Sequence, residues 1–255
     1  MAGLSLIGEY SSDSEDEKLS SKKEENQRYN AGKRLPLPQS IKTWKGVDHH
    51  TEVTDDPSQH EGKIRSFKHE RGTWATLVYI LYKPSETLLS WMNLIRTHHS
   101  IEDGKIFEEF HVSLTRTVPL KFHWIDSFVE GVKKISENSN QFAMELTDVK
   151  VYCNDNKTRT FLGICCENDE ALNDLTEALN KLLNEYLLPR FYEEASHHVS
   201  FLWCLDNQEE RLKVKLPSLS SSLRNFIAEN PQESYVQVQE LHCKVGNRLY
   251  TFNLR

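Results

Sequence analysis

No apolar stretch in this 255-residue chain approaches the roughly 18 residues needed to cross a bilayer. The opening segment MAGLSLIGEYSSDSEDE turns acidic where a secretory signal would need a longer apolar run. A soluble, intracellular protein is therefore expected. Cysteine is sparse: Cys153, Cys165, Cys166, Cys204 and Cys243 are odd in number and show no C-x-x-C spacing, so neither a disulfide framework nor a zinc site is indicated. Positive charge is also short, with 31 Lys and Arg against 38 Asp and Glu. That balance excludes the broad basic surface with which a non-specific nucleic-acid binder collects phosphates. Residues 1–62 hold 12 acidic and 8 basic side chains, leaving 26 and 23 for the remainder. The bulk of the chain is thus nearly neutral, and if its partner is RNA it touches few phosphates. There is no Gly-x-Ser-x-Gly elbow either, which argues against a serine hydrolase.

What is present divides in two. Residues 1–61 are rich in Ser, Asp, Glu and Lys without sustained apolar period, and read as a disordered polar and acidic tail that cannot offset the entropy of ordering. Residues 62–255 alternate strands and amphipathic helices. Trp74 to Tyr82 is β-branched and aromatic and predicts a buried strand, followed by a helix from Ser85 to about His99 and a strand over Phe110–Thr117. Trp124, Phe128, Val132 and Ile135 mark a helical stripe. A hairpin is expected from 142–153 and 158–166 across Asn154–Lys157. The apolar stripe Leu172 to Tyr186, capped by Asn168 or Asp169 and stopped by Pro189, predicts the longest helix. A strand at 199–205, a helix at 219–228 and a last hairpin of 236–245 and 249–254 complete the α+β pattern, with antiparallel pairing.

One short sequence occurs twice: His111-Val112-Ser113-Leu114 and His198-Val199-Ser200-Phe201. His with Ser or Thr two residues later occurs four times here, so context must separate the cases. His49 and His98 lie among polar neighbours, whereas His111 and His198 alternate with apolar residues as half-buried strands require. Side chains on a strand repeat direction every two residues, so each His shares a face with its Ser. If the two strands lie side by side, two imidazoles and two hydroxyls line one cleft. One neutral imidazole can take a proton from an attacking hydroxyl while the other, protonated, donates to the leaving oxygen. Ser113 and Ser200 can bind the non-bridging phosphate oxygens. A single such His would more often be an ordinary strand residue bonded to a carbonyl, and it is the duplication that favours catalysis. Two His without a carboxylate or Cys at ligand spacing leave a metal site incomplete, so no metal or other cofactor is expected.

A twin H-x-S motif in this setting resembles the 2H phosphoesterase superfamily. The segments His69–Thr76, Lys157–Phe161 and Phe191–Glu194 are similar to the branch of that superfamily that trims the 3' end of U6 spliceosomal RNA. The resemblance implies two pseudo-symmetric lobes flanking a cleft and a nuclear 3'-5' RNA exonuclease that removes terminal nucleotides, mostly uridines, and leaves a 2',3'-cyclic phosphate or, in some members, a 3'-phosphate after further opening. The partner expected is an RNA 3' end, with no membrane, in keeping with the lack of a long apolar run, and no DNA; nothing in the sequence demands more than a monomer. Tyr192 matches that branch's base-stacking aromatic residue, Ser196 lies in the matching loop, and Asp155 stands where the branch carries Gln. His198 is taken as base and His111 as acid, although the sequence does not decide the order. Lys157 and Arg159 read as edge charges, and His69, Glu70, His123 and His242 as structural or surface residues. Competing readings are a 2',3'-cyclic nucleotide phosphodiesterase or tRNA-processing enzyme of the same superfamily, and a non-catalytic RNA-binding module.

Overall fold

In the computed structural model the described residues are 58, 61–62, 67–68, 70–167, 170–192 and 196–255. The expected tail, apart from Ser58 and Glu61, lies outside them, as do His69 and the expected cap at 168–169. Ten strands are formed in chain order: β1 (Thr73–Tyr82), β2 (Lys105–Ile106), β3 (Phe110–Ser113), β4 (Val118–Lys121), β5 (Phe142–Cys153), β6 (Arg159–Cys166), β7 (His198–Leu205), β8 (Tyr235–Val238), β9 (Glu240–Val245) and β10 (Arg248–Asn253). Among the described residues five α-helices accompany them: α1 (Glu86–His98), α2 (Ile125–Asn138), α3 (Glu170–Glu185), α4 (Glu209–Lys213) and α5 (Leu216–Glu229). Among the described residues, no helix is long and apolar enough to cross a membrane.

The strands join in the order β10-β9-β1-β3-β7-β6-β5-β8, with β4 added to β1 and β2 to β7, and the registered pairs are antiparallel. The order has two halves, β10-β9-β1-β3 and β7-β6-β5-β8, that meet where β3 pairs with β7. Sheet twist alone would carry the outer strands apart. Instead β8 and β9, at or near opposite ends of the order, are separated in sequence by Gln239 alone. The backbone N–H of Gln141, just before β5, donates to the Arg255 carbonyl just after β10, at 3.0 Å. The outer parts of the two lobes therefore curl back toward each other at the chain's C-terminal end.

Burial follows the pleat. In β3 Phe110 and Val112 are buried while His111 and Ser113 are half-buried, and in β7 Val199 and Phe201 are buried while His198 and Ser200 are half-buried. The apolar residues of these strands join one core with the stripes of α1, α2 and α3, for instance Met92, Phe128 and Leu179. Trp91 of α1 lies against Phe201 with ring centroids 5.7 Å apart. Burying aliphatic and aromatic side chains of this size contributes roughly 1.5–3 kcal/mol each, which anchors the two motif strands from behind.

Three expectations on secondary structure need correction. The strand expected over Phe110–Thr117 ends at Ser113, because the amides of Leu114 and Thr115 both donate to the Val78 carbonyl and bulge the chain before β4 begins. The expected strand 236–245 is two strands, since β8 pairs with β5 while β9 pairs with β1. The short helix α4 and the strands β2 and β4 have no counterpart in the expected pattern; Pro119, expected to stop a strand, lies inside β4 opposite Ala75.

Candidate active site

Val112 of β3 pairs with Val199 of β7. In an antiparallel register this pair places His111 across from Ser200 and Ser113 across from His198, with a local two-fold axis through the valines. The structure thus brings both H-x-S motifs to one face at the junction of the lobes. The two imidazoles are close enough that positive charge on His111 disfavours it on His198.

His198 is held tightly. Its Nδ1 lies 2.7 Å from the Ser196 carbonyl, an acceptor only, so Nδ1 carries the proton and Nε2 is left for substrate. Its ring stacks on Tyr152 at 3.6 Å and 12°. Tyr152 comes from β5, two strands away, and reaches across Gly163 of β6. A Cβ at Gly163 would come within 2.8 Å of His198 Cδ2 and 3.0 Å of Tyr152 Cε2, so only glycine admits this stack. The Tyr152 hydroxyl is 3.0 Å from Ser196 Oγ and 3.4 Å from Cys165 Sγ. Burial pulls the His198 pKa down to about 4, against the Ser196 carbonyl, which favours the cation.

His111 has fewer neighbours. Tyr79 of β1 lies beside it at 5.2 Å and 59°. Burial lowers its pKa, Glu109 opposes that, and Lys244 adds to it. In both cases a bound phosphodiester anion would push the imidazole back toward protonation.

His197, which the resemblance puts with Ser196 in the loop before the second motif and to which sequence reasoning assigned no role, is held firmly next to β7. It is 3 % exposed, lies flat on Phe191, and its Nε2 is 3.0 Å from Thr176 Oγ1. That hydroxyl donates to the Leu172 carbonyl, so the His197 ring N–H is the donor. Burial lowers the His197 pKa to about 4, with His198 adding to the effect.

Of the residues expected to contact substrate, Ser196 is engaged by the protein itself, orienting His198 through its carbonyl and bonding Tyr152 through its hydroxyl. Asp155 and Tyr192 come together, although from distant segments. Arg116, in the loop between β3 and β4, places its Cζ over the Tyr192 ring, 3.8 Å from the centroid, and Nη1 3.2 Å from Asp155 Oδ2. One ring face of Tyr192 is therefore covered by a guanidinium. Sequence reasoning missed Arg116, Tyr152, Tyr79 and Gly163. The strand alternation of β5 was the available signal for Tyr152, since it puts Lys150 and Tyr152 on one face. Among the described residues no three His, Cys, Asp or Glu side chains are grouped as a metal-ligand set.

Paired H-x-S strands about a two-fold axis, between two antiparallel lobes, define a two-histidine phosphoesterase. Consistent with that class, the chain matches a family model named HVSL, described as an uncharacterised conserved protein, over residues 35–253. It is 36% identical over 225 residues to U6 snRNA phosphodiesterase 1 of Danio rerio, covering 87% of this chain and 81% of that one. To the protein of the same name from Xenopus laevis it is 37% identical over 208 residues, covering 80% and 82%. Among solved structures, Kluyveromyces marxianus Usb1 with uridine monophosphate superposes with a TM-score of 0.51 at 17% identity, covering 70% of this chain and 97% of that one, which bears on the fold. The chain belongs to the U6 snRNA phosphodiesterase family and is an RNA phosphodiesterase of the 2H class.

Proposed function

We propose that this enzyme trims nucleotides, chiefly uridines, from the 3' end of U6 snRNA, acting as a monomer in the nucleus and serving the splicing machinery. The observation that carries this reading is the Val112–Val199 pairing, which sets two imidazoles and two serine hydroxyls around a space where a phosphodiester can sit. Neutral, buried imidazoles suit a substrate that brings its own nucleophile. The 2'-hydroxyl of the penultimate ribose gives its proton to one histidine and its oxygen bonds to phosphorus. The bond from phosphorus to the 5'-oxygen breaks, and the second histidine, charged in the presence of the phosphate anion, protonates that oxygen. The products are a terminal nucleoside and an RNA ending in a 2',3'-cyclic phosphate, as a lyase would leave it. Ser113 and Ser200 donate to the non-bridging oxygens, and Tyr192 lies where the terminal base is received. Proximity of the 2'-oxygen replaces activation of a water molecule, so full activity is expected in excess EDTA.

The test is incubation of the pure protein with a uridine-ended RNA oligomer and mass analysis of the new 3' end, with and without EDTA. Shortened RNA carrying a cyclic phosphate supports the proposal. Consumption of a cyclic end without shortening would make the enzyme a cyclic phosphodiesterase, and binding without turnover would make it a recognition module.

A further inference from the structure

The buried face of α3 is made of Leu172, Leu175, Leu179, Leu182 and Leu183, yet Thr176 and Asn180 stand in the same face, 5 % and 9 % exposed. An amide or hydroxyl buried among leucines is stable only when its hydrogen bonds are made, and asparagine is a poorer helix former than leucine. Both side chains reach out of the helix to the segment that leads into the second motif. Thr176 Oγ1 meets the His197 ring at 3.0 Å. Asn180, one turn later, takes the backbone N–H of Phe191 on its Oδ1 at 2.8 Å. Its Nδ2 donates to Glu177 Oε2 at 3.4 Å, and the same oxygen receives Nη2 of Arg190 at 2.7 Å. Phe191 joins the two arms. It is 8 % exposed, and its ring lies flat on His197 at 5.2 Å and edge-on to Tyr192 at 5.4 Å and 71°. A single helix face thus holds the residue before Tyr192 and the residue before His198.

We infer that Asn180 is a positioning residue for recognition of the terminal base: by fixing the Phe191 amide it sets where the Tyr192 ring stands relative to His198. The inference rests on the reading that Tyr192 receives the terminal base. Two polar links join α3 to this end of the segment. The Arg190–Glu177 pair is about half exposed and screened by water, so the buried bond from Phe191 to Asn180 carries the constraint. The Tyr192 ring projects from the protein, 43 % exposed, and its stance depends on the backbone that bears it. A nucleoside stacked on that ring carries on its 5'-oxygen the phosphate that sits between the two motif histidines, so a shift of the ring moves the phosphate with it. Such a displacement, about 1 Å at a reacting group, costs up to about 100-fold. Loss of the Asn180 acceptor leaves the Phe191 ring in its apolar seat and releases only the peptide before Tyr192. Asn180 therefore acts on RNA ends that carry a base and is without effect where the last nucleotide has none to stack.

The test compares two RNA trimers that differ only at the 3' end, one closing in uridine and the other in an abasic ribose. The ratio of their kcat/KM values is taken within one preparation, so that an unfolded fraction of a variant cancels. The wild-type ratio should favour uridine at least about tenfold, the scale of one stacked base. Asn180→Leu keeps the volume and removes the acceptor, and Asn180→Ala, a better helix former, keeps the question answerable if the leucine variant does not fold. Each should lower the ratio about fivefold, with the abasic-ended RNA trimmed within about twofold of the wild-type rate. Asn180→Asp retains an acceptor for the Phe191 amide and should return the ratio to within about twofold of wild type. In a Tyr192→Ala background, Asn180→Leu should leave the ratio unchanged, since two residues that act through one contact do not add. Equal losses on both RNAs would make Asn180 a structural residue of α3 and overturn the assignment, as would a ratio that neither Leu nor Ala alters. Failure of the underlying reading shows separately: Tyr192→Ala alone would then keep the wild-type ratio, and the assignment would fall with it.

Discussion

The two lobes contribute the same H-x-S motif to one face yet hold it differently. At position 163 the second lobe has glycine, and the space above it lets Tyr152 lie flat on His198 from two strands away. The register puts Tyr79 at the corresponding place in the first lobe, across from Ser113 as Gly163 is across from Ser200, and there the tyrosine itself fills the gap beside His111. Chain symmetry thus fixes where the two imidazoles stand, while the neighbours decide how firmly. His198 is oriented by a carbonyl, a stacked ring and a glycine. His111 has one tilted ring. The second lobe fixes the direction of its free ring nitrogen, whereas the first leaves its ring less constrained.

If both lobes serve one reaction, removing either imidazole should be equally severe. His111→Ala and His198→Ala are each expected to lower kcat/KM at least about 100-fold, the usual effect of losing a positioned acid or base. Circular dichroism should show both variants folded, because neither ring belongs to the apolar core. A variant that kept near-normal turnover would reduce the site to one working histidine and end the comparison.

Acid should distinguish the lobes next. His197 and His198, neighbours in the second lobe, both have pKa values lowered to about 4 by burial. The unfolded chain, titrating near 6.5, binds these protons first, so their contribution to stability is intact above about pH 6.5 and is lost as pH falls toward 4. The loss is at most about 3 kcal/mol for each of the two histidines. Hydrogen exchange measured from pH 7 down to pH 4.5 should show protection falling in β6, β7 and the start of α3 before β1 and β9. Burial lowers His111 and His242 in the first lobe as well, so simultaneous loss in both lobes would show that His197 and His198, the pair lowered to about 4, do not govern acid unfolding.

Gly163→Ala probes the feature that makes the lobes unequal. The added methyl meets His198 and Tyr152 at or below 3.0 Å, and the imidazole must turn or the stack must part. A displacement of about 1 Å at a reacting group can cost up to about 100-fold, so a loss of between ten and 100-fold in kcat is expected with KM little changed. An unchanged kcat would mean that the stack on Tyr152 has no part in aiming His198.

Much of this was legible in the sequence because it is local. Period-two alternation around His111 and His198 identified both strands and put each Ser beside its His, and the turn Asn154–Lys157 was marked by its own residues. Relations across strands were not legible. Gly163 reads as a weak point in a strand until His198 is found on one side and Tyr152 two strands away. The break at Gln239 is invisible in an apolar stretch that simply continues, because it arises from β8 and β9 joining different parts of the sheet. Arg116 is an ordinary loop cation until the curvature of the lobes delivers Tyr192 to it.

The contact among Arg116, Asp155 and Tyr192 is where the lobes touch across the cleft, and it should have the smallest effect. Arg116 belongs to a loop of the first lobe, and Asp155 to the hairpin turn of the second. Their side chains are 34% and 62% exposed, so water screens the ion pair, which contributes about 0–1 kcal/mol. The guanidinium over Tyr192 adds about 0.5–1 kcal/mol at an exposed site. Neither contribution is large enough to lock the lobes together, and a nucleobase can displace the guanidinium from the ring or stack on its outer plane. Asp155→Ala should therefore shift KM no more than about fivefold, leave kcat unchanged, and matter less as salt rises. Tyr192→Ala removes the aromatic surface itself and should raise KM further, with no such dependence on salt. Equal losses in the two variants at every salt concentration would mean that the cross-lobe ion pair, rather than the ring, receives the base.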